Sequence, residues 1–293
     1  MNSTPLRYPG GKSLMTNFFI DLFRTNGLQS VVYAEPYAGG AGAAINLLLG
    51  NYVNDIIIND ANIGVFSFWK ALISDSDRFI QIVHDIPVTL SEWGKQREII
   101  KQAKEPSFEL GVATFYMSRT NRSGVISGGP IGGTTEELQQ KAKYKIDCRF
   151  NKKELIQRLV KIATYNNHIK VYNLDALAFL KQLDNNVFVY LDPPYYVKGK
   201  CLYMNHYTDN DHKNLAQFLQ NEAHFSWVLS YDDVSQIREI YKDSELYRFP
   251  LKYTVRNKQI GYELLTHSDD LRFPIVPEIR RTQSDNINIE KIS

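Results

Sequence analysis

One stretch of about 30 residues, a length typical of a single strand–helix–strand unit, constrains the fold of this chain more than any other. Ser30–Val31–Val32–Tyr33–Ala34–Glu35 is β-branched and aromatic, and it runs straight into Gly39–Gly40–Ala41–Gly42. Such a run reads as a buried strand ended by a tight glycine turn. Ala43 to Leu49 has helical texture, with Gly50 as its stop. Asp55–Ile56–Ile57–Ile58 follows as a second buried strand, closing at Asn59–Asp60. Two strands joined through a helix must lie parallel, so the chain belongs to the α/β class.

The texture then changes. Phe66 to Lys104 has helical spacing, with Trp69, Leu72 and Ile73 on one face. Ser118 to Thr135 is rich in Arg, Asn, Ser and Gly, and reads as a loop or hairpin rather than core. Sheet texture resumes at Ile169–Tyr172. It is clearest at Asn186–Leu191, recurs at Phe225–Ser230, and ends in a closing hairpin of Leu246–Val255 with Tyr262–Thr266. The α/β pattern is therefore split. Residues 1–65 and 165–293 are expected to form one catalytic domain, and 66–164 an inserted, mainly helical domain.

Composition narrows the class further. No run approaches the ~20 apolar residues that span a bilayer, and no apolar stretch follows the charges of Met1–Lys12, so a cytoplasmic protein with no membrane partner is expected. Cys148 and Cys201 lack disulfide-framework and metal-ligand spacing, so no metal is expected. A net charge of +2 argues at first against a nucleic-acid partner, but it is an average. Lys141 to Lys161 holds eight basic residues against Asp147 and Glu154, an excess of +6, which leaves −4 for the rest. A charge run is usually only a solvated face. This one follows a loop carrying Arg119, Asn121 and Arg122 and interrupts a catalytic fold, so phosphate contact, with Lys152 and Lys153 among the candidates, is the better reading. Arg and Asn are also the side chains that read base edges.

Two motifs carry the chemistry. Ligands of open α/β sheets bind outside the carboxyl ends of the strands, and an acid ending the second strand accepts from ribose hydroxyls. Asp60 stands 20 residues after Gly40, where that logic requires it; the plainer alternative is a cap for the next helix. The dinucleotide fingerprint fails, because its sixth position from Gly40 is Ile45. Gly10–Gly11–Lys12–Ser13 mimics the end of a phosphate loop, but the first glycine of that motif would fall at Leu6. The ligand is thus adenosine-like without a pyrophosphate, and Lys12 is placed to reach a carboxylate or a phosphate. Asp192–Pro193–Pro194–Tyr195 follows the best strand. Its prolines stiffen a turn rich in acceptors. The Asp192 side chain and the Pro193 carbonyl suit the two N–H bonds of an amino group on a flat base, and Tyr195 suits a stack.

In their order along the chain, Arg7–Tyr8–Pro9–Gly10–Gly11–Lys12, Glu35–Pro36–Tyr37–Ala38–Gly39–Gly40, Asp60 and Asp192–Pro193–Pro194–Tyr195 resemble the Dam-type, alpha-group DNA N6-adenine methyltransferases. The resemblance covers nearly the whole chain. It includes Ser118–Gly124, similar to that family's Asn-Arg-rich target-recognition segment, and Tyr207 with Asp211–His212. It implies a Rossmann-like S-adenosylmethionine-dependent methyltransferase fold with an inserted target-recognition domain. S-adenosyl-L-methionine is then the cofactor and double-stranded DNA the partner, alongside any separate cognate restriction endonuclease. It further implies that Tyr8, Lys12, Glu35, Pro36, Tyr37, Ala38, Gly39, Gly40, Asp60, Asp175 and Asp192 border the cofactor. Asp192 to Tyr195 would hold a flipped adenine, since the target atom is unreachable in a stacked duplex. Tyr8 stands where several members have Trp, and Tyr37 where Phe is usual; both keep a ring. Asp rather than Ser or Asn at position 192 favours adenine over cytosine or a protein amide. An RNA adenine or protein amide substrate, and a catalytically silent DNA-binding module, remain as alternatives.

Overall fold

The computed structural model describes residues 3–196, 207–253, 259–274, 278–282 and 285–292. Among these, eight strands form one sheet: β1 (Val32–Glu35), β2 (Asp55–Asn59), β3 (Ile169–Tyr172), β4 (Val187–Leu191), β5 (Ser226–Asp232), β6 (Tyr247–Tyr253), β7 (Gln259–His267) and β10 (Glu290–Lys291). Their order is β3-β2-β1-β4-β5-β7-β6-β10. The first five are parallel, and β7, β6 and β10 join antiparallel. A separate hairpin pairs β8 (Glu278–Thr282) with β9 (Asp285–Asn288). The closing hairpin of β6 with β7 follows the sequence expectation.

Alternation along the central strands sends side chains to two faces. Tyr33, Phe188 and Tyr190 enter one apolar cluster with Phe18 and Phe19, while Ala34, Val189 and Leu191 enter another with Leu215 and Trp227. Every residue of β4 is buried, as a central parallel strand covered on both faces must be. Each such aromatic or aliphatic side chain contributes roughly 1.5–3 kcal/mol by leaving water.

Residues 66–164 lie between β2 and β3, within a crossover connection. Their helices are α3 (Ile63–Ser74), α4 (Ser76–Asp85), α5 (Leu90–Gln102), α6 (Phe108–Thr120), α7 (Glu136–Lys141) and α8 (Lys152–Ala163), counting from α1 (Thr16–Thr25) and α2 (Gly42–Leu49). This segment shares one apolar cluster with the sheet: Phe68, Trp69, Phe115 and Leu159 are continuous with Ile56 and Phe188. Helix α3 straddles the expected boundary at 65, because it both starts the segment and packs on β3.

Ser118 to Thr135 is not loop throughout, nor wholly outside the core. Helix α6 runs on to Thr120, and Ser118, Thr120 and Asn121 are completely buried. A bridge from Asn121 to Pro130 closes the loop beyond. Polar composition suggested solvent, but these side chains satisfy backbone groups inside the fold: the Ser118 hydroxyl donates to the Phe115 carbonyl and the Thr120 hydroxyl to Tyr116. Cys201 lies outside the described residues, and Cys148 is exposed.

Candidate active site

The strand order reverses between β1 and β4. The chain builds outward through β2 and β3, then returns to the other side of β1. Such a switch point leaves a crevice at the carboxyl ends of the strands. A cavity of about 460 Å³ lies there, bordered by the ends of β1, β2 and β4.

The β1 end supplies the glycine loop. Gly39 is left-handed (φ 46°), and a Cβ there would lie 2.7 Å from the Tyr8 ring. A Cβ on Gly42 would lie 2.2 Å from the Ser13 hydroxyl, so the loop packs directly on the Gly10–Ser13 turn. Asp60, ending β2, ties the loop down: its Oδ2 accepts from the Gly39 N–H (2.8 Å) and its Oδ1 from the Asn62 N–H (2.9 Å). Asn62, not Asp60, caps α3. Gly39→Ala is expected to cost about 1–2 kcal/mol, because alanine disfavours a positive φ. Thermal denaturation should show a lower Tm, and cofactor titration a weaker complex; an unchanged Tm would contradict this view of the loop.

Glu35 is buried at the end of β1, where its Oε1 accepts from the Tyr33 hydroxyl (3.1 Å) and the Ala44 N–H (3.0 Å). Burial pushes its carboxyl up to about 8, and that of Asp60 to about 6, with the donors named above pulling back in each case. The Pro36 carbonyl accepts from Asn59 (3.0 Å), and Ala38 donates to the Asn59 carbonyl (2.9 Å). The Thr4 hydroxyl donates to the Gly40 carbonyl. The Tyr37 and Tyr207 hydroxyls meet at 2.6 Å on the cavity wall. Asp175 also faces the cavity and caps the short helix Ala176–Leu180.

The β4 end supplies Asp192, beside a buried ionic network. Lys12 Nζ donates to Asp192 Oδ1 (2.7 Å), to Glu263 Oε1 (3.2 Å) and to the Tyr195 hydroxyl (3.3 Å). Ser230 on β5 donates to the same Asp192 oxygen (3.0 Å). Burial opposes the Lys12 charge, but Asp192 and Glu263 outweigh it and raise the ammonium well above its ordinary range. Asp192 and Pro194 border the cavity. Tyr195 does not border it and is 4% exposed, with its hydroxyl donating to Glu263 (2.5 Å). The reach of Lys12 toward a carboxylate was legible in the sequence; Glu263 and Ser230 were not. An acid inside the apolar run Tyr262–Thr266 was the available signal, since buried acids are rarely unpaired.

The expected DNA-contact residues fall into two groups. Arg122 and Lys153 are exposed. The others bond groups of the protein itself, Arg119 and Asn121 in its interior and Lys152 at the surface. Arg119 Nε donates to the Pro5 carbonyl (2.6 Å), and burial lowers the guanidinium to about 10, helped by Arg158 and Arg7. Asn121 accepts from Trp93 Nε1 (2.7 Å) and donates to the Val125 and Ile126 carbonyls (both 2.9 Å), so both its amide hydrogens are committed. Lys152 Nζ donates to the His84 carbonyl (2.6 Å).

The fold is Rossmann-like, a mainly parallel sheet with a crevice at its switch point. The model of the D12 class N6 adenine-specific DNA methyltransferases matches residues 8–255, and the chain belongs to that family. It is an adenine-specific DNA methyltransferase, and membership implies use of S-adenosylmethionine. The Type II methyltransferase M.MjaIII of Methanocaldococcus jannaschii is 28% identical over 203 residues, spanning 64% of this chain and 68% of that protein. The solved rRNA methyltransferase aviRa of Streptomyces viridochromogenes covers 90% of this chain and 87% of its own at a TM-score of 0.34 and 14% identity, a likeness too slight to bear on the fold. Among the described residues, no helix is long and apolar enough to cross a membrane.

Proposed function

We propose that the chain methylates adenine N6 at specific sites in double-stranded DNA, after extruding the target base into the crevice between β1 and β4. The observation that carries this is Asp192, whose Oδ1 is held by Lys12 and Ser230 at the wall of the cavity that Asp60 and Glu35 also border. The donor set fits the cofactor: Asp60 offers acceptors to ribose hydroxyls and Glu35 offers one to a methionine ammonium, with Tyr8 and Lys12 at the same wall. When bound, the cofactor supplies a methyl group already activated on a sulfonium.

The protein's own part is to align and to exclude water. Asp192 Oδ2 and the Pro193 carbonyl take the two N6–H bonds, drawing the amino lone pair out of conjugation and toward the incoming methyl. Extrusion costs a few kcal/mol. A stack on Tyr195 would return roughly 1–3 kcal/mol, and it requires that ring to open toward the cavity. Arg122, Lys153 and the half-buried Lys152 supply phosphate contacts from the 66–164 segment. Changing Lys152 and Lys153 to Gln should reduce the slope of log affinity against log salt by about 1–2, with sequence preference kept. An unchanged slope removes them from the interface.

The relative's printed Type II class is compatible with action beside a separate cognate endonuclease, and the proposed place of action is the cytoplasm. The deciding experiment offers labelled cofactor with unmethylated DNA, RNA and protein in parallel and maps the product at base resolution. N6-methyladenine at one recurring duplex sequence is expected; label on RNA or a protein amide overturns the reading.

A further inference from the structure

Glu263 has no place in the mechanism above, yet it is the most deeply buried carboxylate beside the site, with no measurable exposure. It projects from β7, the strand inserted antiparallel between β5 and β6. It does not border the cavity. Both its oxygens lie on the Lys12 ammonium, Oε1 at 3.2 Å and Oε2 at 3.1 Å, while Lys12 lies 2.7 Å from Asp192.

Counting charges gives the sense of this arrangement. Lys12 beside Asp192 alone would be a neutral pair, and its ammonium would draw electron density away from the oxygens that must accept the N6 hydrogens. A second carboxylate on the far side of Lys12 shares that ammonium. With both carboxylates ionised the cluster carries a net −1, and of the two it is Asp192 that borders the cavity, beside Lys12. The low local dielectric makes the difference count.

We infer that Glu263 is a positioning residue for methyl transfer: it shares the Lys12 charge so that Asp192 remains a full-strength anionic acceptor. It also holds Lys12 in place, and in the ligand-free protein it accepts the Tyr195 hydroxyl. This rests on Asp192 being the acceptor for the adenine amino group.

The test is a double-mutant cycle on the full chain with labelled S-adenosylmethionine and unmethylated plasmid DNA. Glu263→Gln keeps the shape and removes the charge. It should slow single-turnover transfer roughly 30-fold at saturating cofactor and DNA, below the range for deleting a group that bonds the reacting centre itself. The cofactor Kd and the DNA concentration at half-saturation should stay within a factor of three. In a Lys12→Met background there is no ammonium to share, so Glu263→Gln should cost less than a further 3-fold in rate. The Tm of the ligand-free proteins should show the same non-additivity. An equal rate loss in both backgrounds overturns the inference, as does a wild-type rate for Glu263→Gln, or a loss confined to cofactor or DNA affinity. If Glu263→Gln alone does not fold, the comparison of Lys12→Met with the double variant decides. If the wild-type chain methylates no DNA, the reading beneath it falls too; if it does and Glu263→Gln matches it, only this inference falls.

Discussion

Replacing Asp192 with alanine should lower methyl transfer to DNA by about 10³-fold, the upper range for removing one group that stabilises a developing charge. Cofactor binding should persist, because Asp60 and Glu35 sit on other strands and keep their partners. The asparagine variant is more informative. Lys12 and Ser230 both donate to Asp192 Oδ1, so an amide at this position must place its oxygen there. Its NH₂ then occupies the Oδ2 position and points a donor at the donors of the adenine amino group. Asp192→Asn should therefore be nearly as inactive as Asp192→Ala despite its near-identical shape. Single-turnover transfer with labelled cofactor measures the loss, and a titration with unlabelled cofactor checks that the site still fills. Wild-type turnover in either variant would remove Asp192 from the reaction.

What the sequence disclosed about this site divides by distance along the chain. The glycine loop with Asp60, and the Asp192 turn with the strand before it, are local signals. Their meeting follows from topology alone, because parallel strands place their carboxyl ends on one side of the sheet. Lys12 could be seen as a cation in search of a carboxylate, but not that its partners lie 180 and 251 residues away. Glu263 was hidden in a strand read only for its apolar neighbours. The insertion misled in the opposite direction. Arg119 and Asn121 have the chemistry of base readers, yet they bond carbonyls of the Thr4–Pro5 and Val125–Ile126 segments. Composition cannot separate a polar side chain facing a ligand from one satisfying a buried backbone. Helix α1 and the β8–β9 hairpin also went unread, the first because no glycine or cap marks its start.

The same limit applies to the overall charge. The +2 total conceals the basic Lys141–Lys161 segment, and the fold divides even that segment, since Lys152 spends a hydrogen bond on the His84 carbonyl while Lys153 is exposed. On the proposed reading, a modest, local phosphate surface would leave sequence selection to few contacts and to extrusion of the base, with the larger energetic demand on the cavity.

Asp60 should show that demand most directly on the cofactor side. Two hydrogen bonds from ribose hydroxyls to one carboxylate are worth roughly 3 kcal/mol, so Asp60→Asn should weaken cofactor binding by about 10²-fold. Part of that loss comes through the loop, since an amide cannot accept from both the Gly39 and Asn62 N–H groups. The pH dependence separates the two contributions. Burial raises the Asp60 carboxyl from 3.8 to about 6 in the folded, ligand-free protein. A folded pKa above the unfolded one means the folded state holds the proton more tightly. Stability from this group is therefore full below about 3.8 and is lost as pH rises through about 6. Cofactor affinity must change the other way across the same interval, because only the carboxylate accepts from both ribose hydroxyls. Between pH 5 and pH 7, about one unit either side of the Asp60 carboxyl, wild-type affinity should rise while the Asp60 contribution to Tm falls. Asp60→Asn should remove the Asp60 share of both trends, leaving the shallower rise in affinity that Glu35, pushed up to about 8, contributes in both proteins. Calorimetric titration and thermal denaturation across that range measure them. If wild-type affinity is independent of pH, or if the asparagine variant keeps the wild-type slope, Asp60 does not hold the ribose as a carboxylate.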